Sequence, residues 1–380
     1  MGYEERKELI KKIEQLRGRT LISFCNFDKL CIPEFFIGTS TMFNAECKES
    51  LFRVLKEAYK KDKGLDLYIY TRGGDLDAVW SIVSLIREFD PNFEVLIPFR
   101  AHSGGTLLSL SGKKIFMSRI AELSPIDPTT GNQFNPQDPL RPNNKLGISV
   151  EDVRAYEKYI EHALKIPDNE NDNKLGDNKL GSYDNESRRT VQPFISHLLA
   201  NVHPIAIGNV HRVSLQIKEL AKMLLNCHPD TNRDDKKVIE QLTTKYYSHL
   251  HMICRKEAKD ILGEKVEEPS SEMEDALDLL LRQYEDDFAL RVPFILSKYL
   301  GDELSKDITF VGGVVEAANW GYKYLTTGIL NQYSMIPNNI QLQIQPGLPV
   351  PLIPGMQRQY RIDLTQQGWV NNKSKIGVSI

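Results

Sequence analysis

The chain has 380 residues, of which 41% are hydrophobic and 26% charged, with a formal net charge of −3. That length suggests about two domains of roughly 150 residues each, and the composition can fill a sizeable core, which excludes a disordered chain. Lysines interleaved with carboxylates form no basic stripe, so nucleic acid is not an expected partner.

In chain order, the charged amphipathic stretch MGYEERKELIKKIEQLRGRT predicts a first helix, and TLISFCNF (20–27) a β-strand. NAECKESLFRVLKEAYKK (44–61) has helical spacing; LDLYIY (65–70) is a strand that runs into Thr71-Arg72-Gly73-Gly74-Asp75, and LDAVWSIVSLIREF (76–89) is a helix. FEVLIPF (93–99) is a further strand, followed by the turn Arg100-Ala101-His102-Ser103-Gly104-Gly105, the apolar helix TLLSLSG and a strand at KKIFMS. Strands alternating with helices predict parallel pairing in an α/β layered domain. Residues 121–145 are rich in Pro, Asn and Gln and read as a loop, and VEDVRAYEKYIEHALK (150–165) as a helix. The direct repeat Asp172-Asn-Lys-Leu-Gly, Asp177-Asn-Lys-Leu-Gly within 168–181 reads as a mobile insertion. From Val191 to about Leu300 apolar residues recur at helical spacing. Beyond Gly301, ITFVGGVVEA and NIQLQIQPGLPVPLIPGMQRQYRIDL predict a β-rich extension.

Five cysteines (Cys25, Cys31, Cys47, Cys227, Cys254) without a Cys-x-x-Cys pair argue against a zinc site and a disulfide framework, which fits a reducing, cytoplasmic location. No metal and no cofactor is expected, since neither a Walker lysine nor a Gly-x-Gly-x-x-Gly fingerprint is present. The N-terminus lacks an apolar signal core, and no run approaches the ~18 apolar residues of a membrane span. Arg6 stands where a myristoylation signal needs Ser or Thr.

The two glycine turns share one architecture, each following a buried strand and opening a helix, so both belong at the carboxyl edge of one sheet, where ligands bind in open α/β folds. The Gly73-Gly74 turn can face its backbone N–H groups outward, as an oxyanion hole requires. Ser103 at a helix start is a candidate nucleophile. The competing reading is structural: Gly-Gly after a strand is common, and Ser before a helix is often an N-cap. Asp75 and Asp77 read as caps of the following helix.

The segments Leu67-Tyr-Ile-Tyr-Thr-Arg-Gly-Gly-Asp, Ala101-His-Ser-Gly-Gly-Thr-Leu-Leu-Ser-Leu, Ile115-Phe-Met and Leu123-Ser-Pro-Ile-Asp-Pro resemble the serine dehydrogenase proteinase family, which is related to signal peptide peptidase A and, more distantly, to the Clp proteolytic subunit. The similarity extends through Val202-His-Pro-Ile-Ala-Ile-Gly and Tyr247-Ser-His-Leu-His-Met and covers roughly residues 18–265. It implies an α/β Clp/crotonase-like fold, a layered β-β-α superhelix, with Ser103 as nucleophile and the amides of Gly74 and Gly104 as the oxyanion hole. Gly73, His102 and Asp127 are expected to line the pocket. Where the Clp subunit carries its catalytic His, this chain reads Ile126-Asp127-Pro128, so a Clp-type triad is not expected. Relatives of signal peptide peptidase A use a Lys near the start of a following helix, which points to Lys145, with Lys158 and His203 as alternatives. A lysine base needs burial or a neighbouring positive charge to lower its pKa.

The expected organisation is a peptidase core over 1–190, a helical capping or oligomerisation region over 191–300 and a C-terminal extension over 301–380. The expected activity is a serine endopeptidase acting on protein or peptide as a homo-oligomer, with a possible protein partner on the extension. A crotonase-like acyl-CoA or ester enzyme and a non-catalytic assembly module are the alternatives.

Overall fold

The computed structural model describes residues 2–27, 42–127, 129–139, 144–163, 185–246, 248, 250–335 and 357–372. The repeat at 168–181 and residues 339–356 of the predicted β-rich stretch lie outside the described residues. In chain order the elements are α1 (Gly2–Arg17), β1 (Thr20–Asn26), α2 (Cys47–Ala58), β2 (Leu65–Tyr70), α3 (Leu76–Phe89), β3 (Glu94–Ile97), β4 (Arg100–Ala101), α4 (Gly104–Leu110), β5 (Ile115–Met117), β6 (Glu122–Leu123), β7 (Thr129–Thr130) and β8 (Ile148–Ser149). There follow α5 (Val150–Ala163), α6 (Asn185–Asn201), α7 (Pro204–Leu225), α8 (Asp235–Glu240), β9 (Ile253–Cys254), α9 (Arg255–Leu262), β10 (Val266–Glu267), α10 (Ser271–Asp287), α11 (Leu296–Leu300), β11 (Ser305–Glu316), β12 (Gly321–Met335) and β13 (Gln357–Asn371). Among the described residues no helix is long and apolar enough to cross a membrane.

The chain forms two compact units, each assembled from separated segments. The first comprises Met1–Thr71, Leu85–Asp90 and Pro269–Ile380. There β2 lies parallel to β1, in register from Thr20↔Leu65 to Cys25↔Tyr70. All residues of both strands are buried, which is why their sequences read as apolar runs rather than as an alternation. The other side of β1 takes β11 antiparallel, with Ser23 opposite Glu316, and β12 and β13 continue the meander. The β-rich C-terminal region expected from the sequence is therefore present, and its first strand is joined to β1.

Two buried polar groups are built into this unit. Asp66 on β2 accepts from Arg17 Nε at 2.8 Å and Arg19 Nε at 2.6 Å; burial pushes its carboxyl up in pKa against the pull of both guanidiniums. Glu316, fully buried on β11, accepts from Arg6 Nε (2.9 Å) and Nη2 (2.7 Å), Tyr284 Oη (3.0 Å) and Asn372 Nδ2 (2.7 Å). Arg6 also pairs with Asp287. One carboxylate thus ties α1, α10 and β11 together, and its four donors replace the water it loses.

The second unit comprises Arg72–Ser84 and Pro91–Glu268. Its strands β3 and β10 both run parallel to β5, with Val95 and Val266 in register with Ile115. A small second sheet pairs β4 parallel to β6, Ala101 beside Leu123, and β9 antiparallel to β6. Helix α7 turns Ala206, Val210, Ile217 and Leu224 inward at helical spacing. Beyond the end of α4, the buried Lys265 donates to Gly112 O.

Candidate active site

The β4–β6 pairing decides the site. Because Ala101 and Leu123 are neighbours in register, the segments that follow them, which begin at His102 and Ser124, leave the sheet side by side. Ser103 is forced into φ 48°, ψ −110°, a conformation L-residues with a Cβ rarely adopt. Such strain costs on the order of 1–3 kcal/mol and persists only where the surroundings over-determine it.

Three sets of contacts do so. Gly105 N donates to His102 O at 2.7 Å and Leu107 N to Ser103 O at 3.0 Å, which starts α4 directly after the serine. Ser103 N donates to Ser124 Oγ at 2.7 Å. Thr106 Oγ1 lies 2.9 Å from Ala101 O and 3.0 Å from Ser124 O as a donor, and accepts from Ser124 N at 3.1 Å. The side chain of Ser103 makes no capping bond although it occupies the N-cap position, so the structural reading of this serine does not account for it.

The other glycine turn is pressed against this one. Gly73 has φ 106° and Gly74 φ 151°. A Cβ on Gly73 would stand 2.7 Å from Gly104 N, 2.8 Å from His102 O and 2.9 Å from Ser103 Cβ; one on Gly104 would stand 3.1 Å from Gly74 N. Only hydrogen fits between the turns, and the nitrogens of Gly74 and Gly104 are thereby gathered next to the serine. Asp75 Oδ1 accepts from Asp77 N at 3.1 Å as a local cap at the start of α3, and Asp77 Oδ1 accepts from Gln216 Nε2 at 2.9 Å.

Around the turn, His102 Nε2 lies 3.1 Å from Glu122 Oε1, with Arg100 Nε 3.8 Å from the same oxygen. The imidazole is thus drawn toward β6. Asp127 is buried at 2% exposure, in the segment whose Ile126 N donates to Leu242 O. The remaining predicted residues are not gathered in this way. Lys145 is exposed and bridges to Gln137 in a loop; Lys158 is exposed on α5. His203 is the exposed N-cap of α7, its Nδ1 accepting from Ile205 N at 3.2 Å and its ring 4.8 Å from that of Phe134. Among the described residues no cluster of three or more His, Cys, Asp or Glu could hold a metal ion.

Ser124, Thr106 and Glu122 are the residues sequence reasoning missed. The signal for Ser124 lay in the quoted Leu123-Ser-Pro-Ile-Asp-Pro segment, but a two-residue strand has no periodicity to announce it.

A strained serine between a short strand and a helix is thus set against a double-glycine turn in an α/β unit with parallel strands. Residues 2–140 match the family of ClpP-like SDH-type serine proteinases. The matched span contains both glycine turns, Ser124 and Asp127, and ends before Lys145, Lys158 and His203. The chain is 32% identical over 126 residues to the uncharacterized protein MJ0137 of Methanocaldococcus jannaschii, covering 33% of this chain and 43% of that protein. It is 23% identical over 231 residues to the uncharacterized protein MJ1495 of the same organism, covering 57% of this chain and 73% of that one. The chain thus spans less than half of the first relative's length.

Proposed function

We propose that the protein is a serine endopeptidase in which Ser103 is the nucleophile. The observation that carries this reading is the serine held at φ 48°, ψ −110° against Gly73-Gly74 with its side chain unused as a cap. Ser103 Oγ attacks a peptide carbonyl, forming a C–O bond as its proton passes to a base. The resulting oxyanion rests on the amides of Gly74 and Gly104, the protonated amine leaves, and water hydrolyses the acyl-enzyme. The base is Lys145, with Lys158 and His203 as the alternatives; all three are exposed, so substrate covering the site must supply the desolvation a lysine base needs. We further propose cytoplasmic action as a homo-oligomer on protein or peptide substrates.

Labelling with a fluorophosphonate probe, read by intact mass, tests this without knowledge of the substrate. Wild type should gain one adduct, Ser103→Ala none, and Lys145→Ala little. An unlabelled wild type, or a Ser103→Ala variant labelled like wild type, overturns the assignment of the nucleophile. Full labelling of Lys145→Ala moves the base to Lys158 or His203.

A further inference from the structure

We infer that Ser124 is a positioning residue for Ser103: its hydroxyl holds the backbone of the nucleophile turn in the strained conformation that presents the reactive oxygen. The inference rests on the assignment of Ser103 as nucleophile and adds to it a residue with no contact to substrate.

Ser103 N–H, at the strained residue itself, is occupied by Ser124 Oγ at 2.7 Å. That amide is therefore withheld from any oxyanion hole, which leaves the donors to Gly74 and Gly104. The acceptor is itself fixed, since Ser124 is buried and its hydroxyl donates to Pro125 O at 2.9 Å. Thr106, fully buried on α4, closes the brace by joining Ser124 N and O to Ala101 O, the carbonyl that precedes the turn. The strand before the serine, the serine and the helix after it are thus all tied to residue 124. Glycine at position 103 would reach the same φ without strain but would carry no nucleophile; with a serine there, a dedicated acceptor is needed to hold the turn.

Loss of the Ser124 hydroxyl lets the turn relax toward ordinary φ, moving Ser103 Oγ away from the amides while the fold stays intact. Misplacement of a reacting group by about 1 Å costs up to roughly 100-fold in rate. The test compares the second-order rate of fluorophosphonate labelling in wild type, Ser124→Ala, Ser124→Thr and Thr106→Val, with melting temperatures alongside. Ser124→Ala and Thr106→Val should label Ser103 to the same final stoichiometry but about 10- to 100-fold more slowly, and Ser124→Thr should recover to within about threefold of wild type because it keeps the hydroxyl. The pH at which the rate rises should not move, since the base is untouched. Wild-type rates in folded Ser124→Ala overturn the inference while leaving the nucleophile in place, as does a Ser124→Thr as slow as Ser124→Ala. If Ser124→Ala does not fold, a wild-type rate in Thr106→Val overturns it instead. A wild type that takes no label overturns the nucleophile assignment, and this inference with it.

Discussion

A methyl group at position 73 would strike Gly104 N and His102 O, both backbone atoms that cannot swing aside, and φ 106° disfavours any side chain there. Gly73→Ala should therefore push the two turns apart. The expected outcome is at least a 100-fold loss of fluorophosphonate labelling rate, with stability lowered by about 1–3 kcal/mol, read from labelling kinetics and urea unfolding. Lys265 makes a different prediction. Burial, assisted by the nearby Arg233, pushes its amine down to about 7, against about 10.4 in an unfolded chain. Between those values the unfolded state binds more protons, so the lysine's contribution to stability rises with pH from about 7 to about 10 and is least favourable below 7. Lys265→Met removes the titration. Wild type minus variant, followed by urea midpoint across that range, should climb with pH; a flat difference would refute the assignment.

At the scale of the element, the longer strands and helices are legible because each buries a face or a whole run. β1 and β2 are buried at every position, and α2 turns Cys47, Leu51, Val54 and Leu55 inward. The approach of the two glycine turns was legible too, although Ser103 follows β4 of the small second sheet and not the longer strand β3 that the sequence suggests. The brace was not. β4 and β6 are two residues each, too short for periodicity, so nothing in the sequence shows that residue 124 returns to residue 103. The exposure of Lys145 and Lys158 was equally invisible, because burial of a lysine is a tertiary property. α1 gives a testable case of an element held by a buried ion-pair network. Its buried Arg6 depends on Glu316, and Glu316→Gln leaves that guanidinium without its main counter-charge. The variant should lose about 3 kcal/mol or more in urea unfolding, with labelling of Ser103 in the folded fraction unchanged.

At the scale of the whole molecule, the sequence marks residues 301–380 as a β-rich C-terminal extension, and within it β11 pairs with β1 along Ser23 to Asn26 and delivers Glu316 to Arg6. Phe310, Val314 and Val315 are buried on it. A chain ending at residue 300 should therefore not fold as a trimmed version of the protein: it should aggregate or melt without a cooperative transition, by calorimetry. A soluble, cooperatively melting truncation would contradict the described pairing.

The link between Arg6 and Glu316 spans 310 residues, and this has a consequence for synthesis. A growing chain exposes α1 and β1 long before their partners on β11 leave the ribosome, whereas Ser103 and Ser124 are only 21 residues apart and can meet at once. The turn at Ser103 is thus an early product of translation and the closure of β1 a late one. Ribosome-bound chains stopped near residue 300 should leave the first helix open to protease until the last strands emerge.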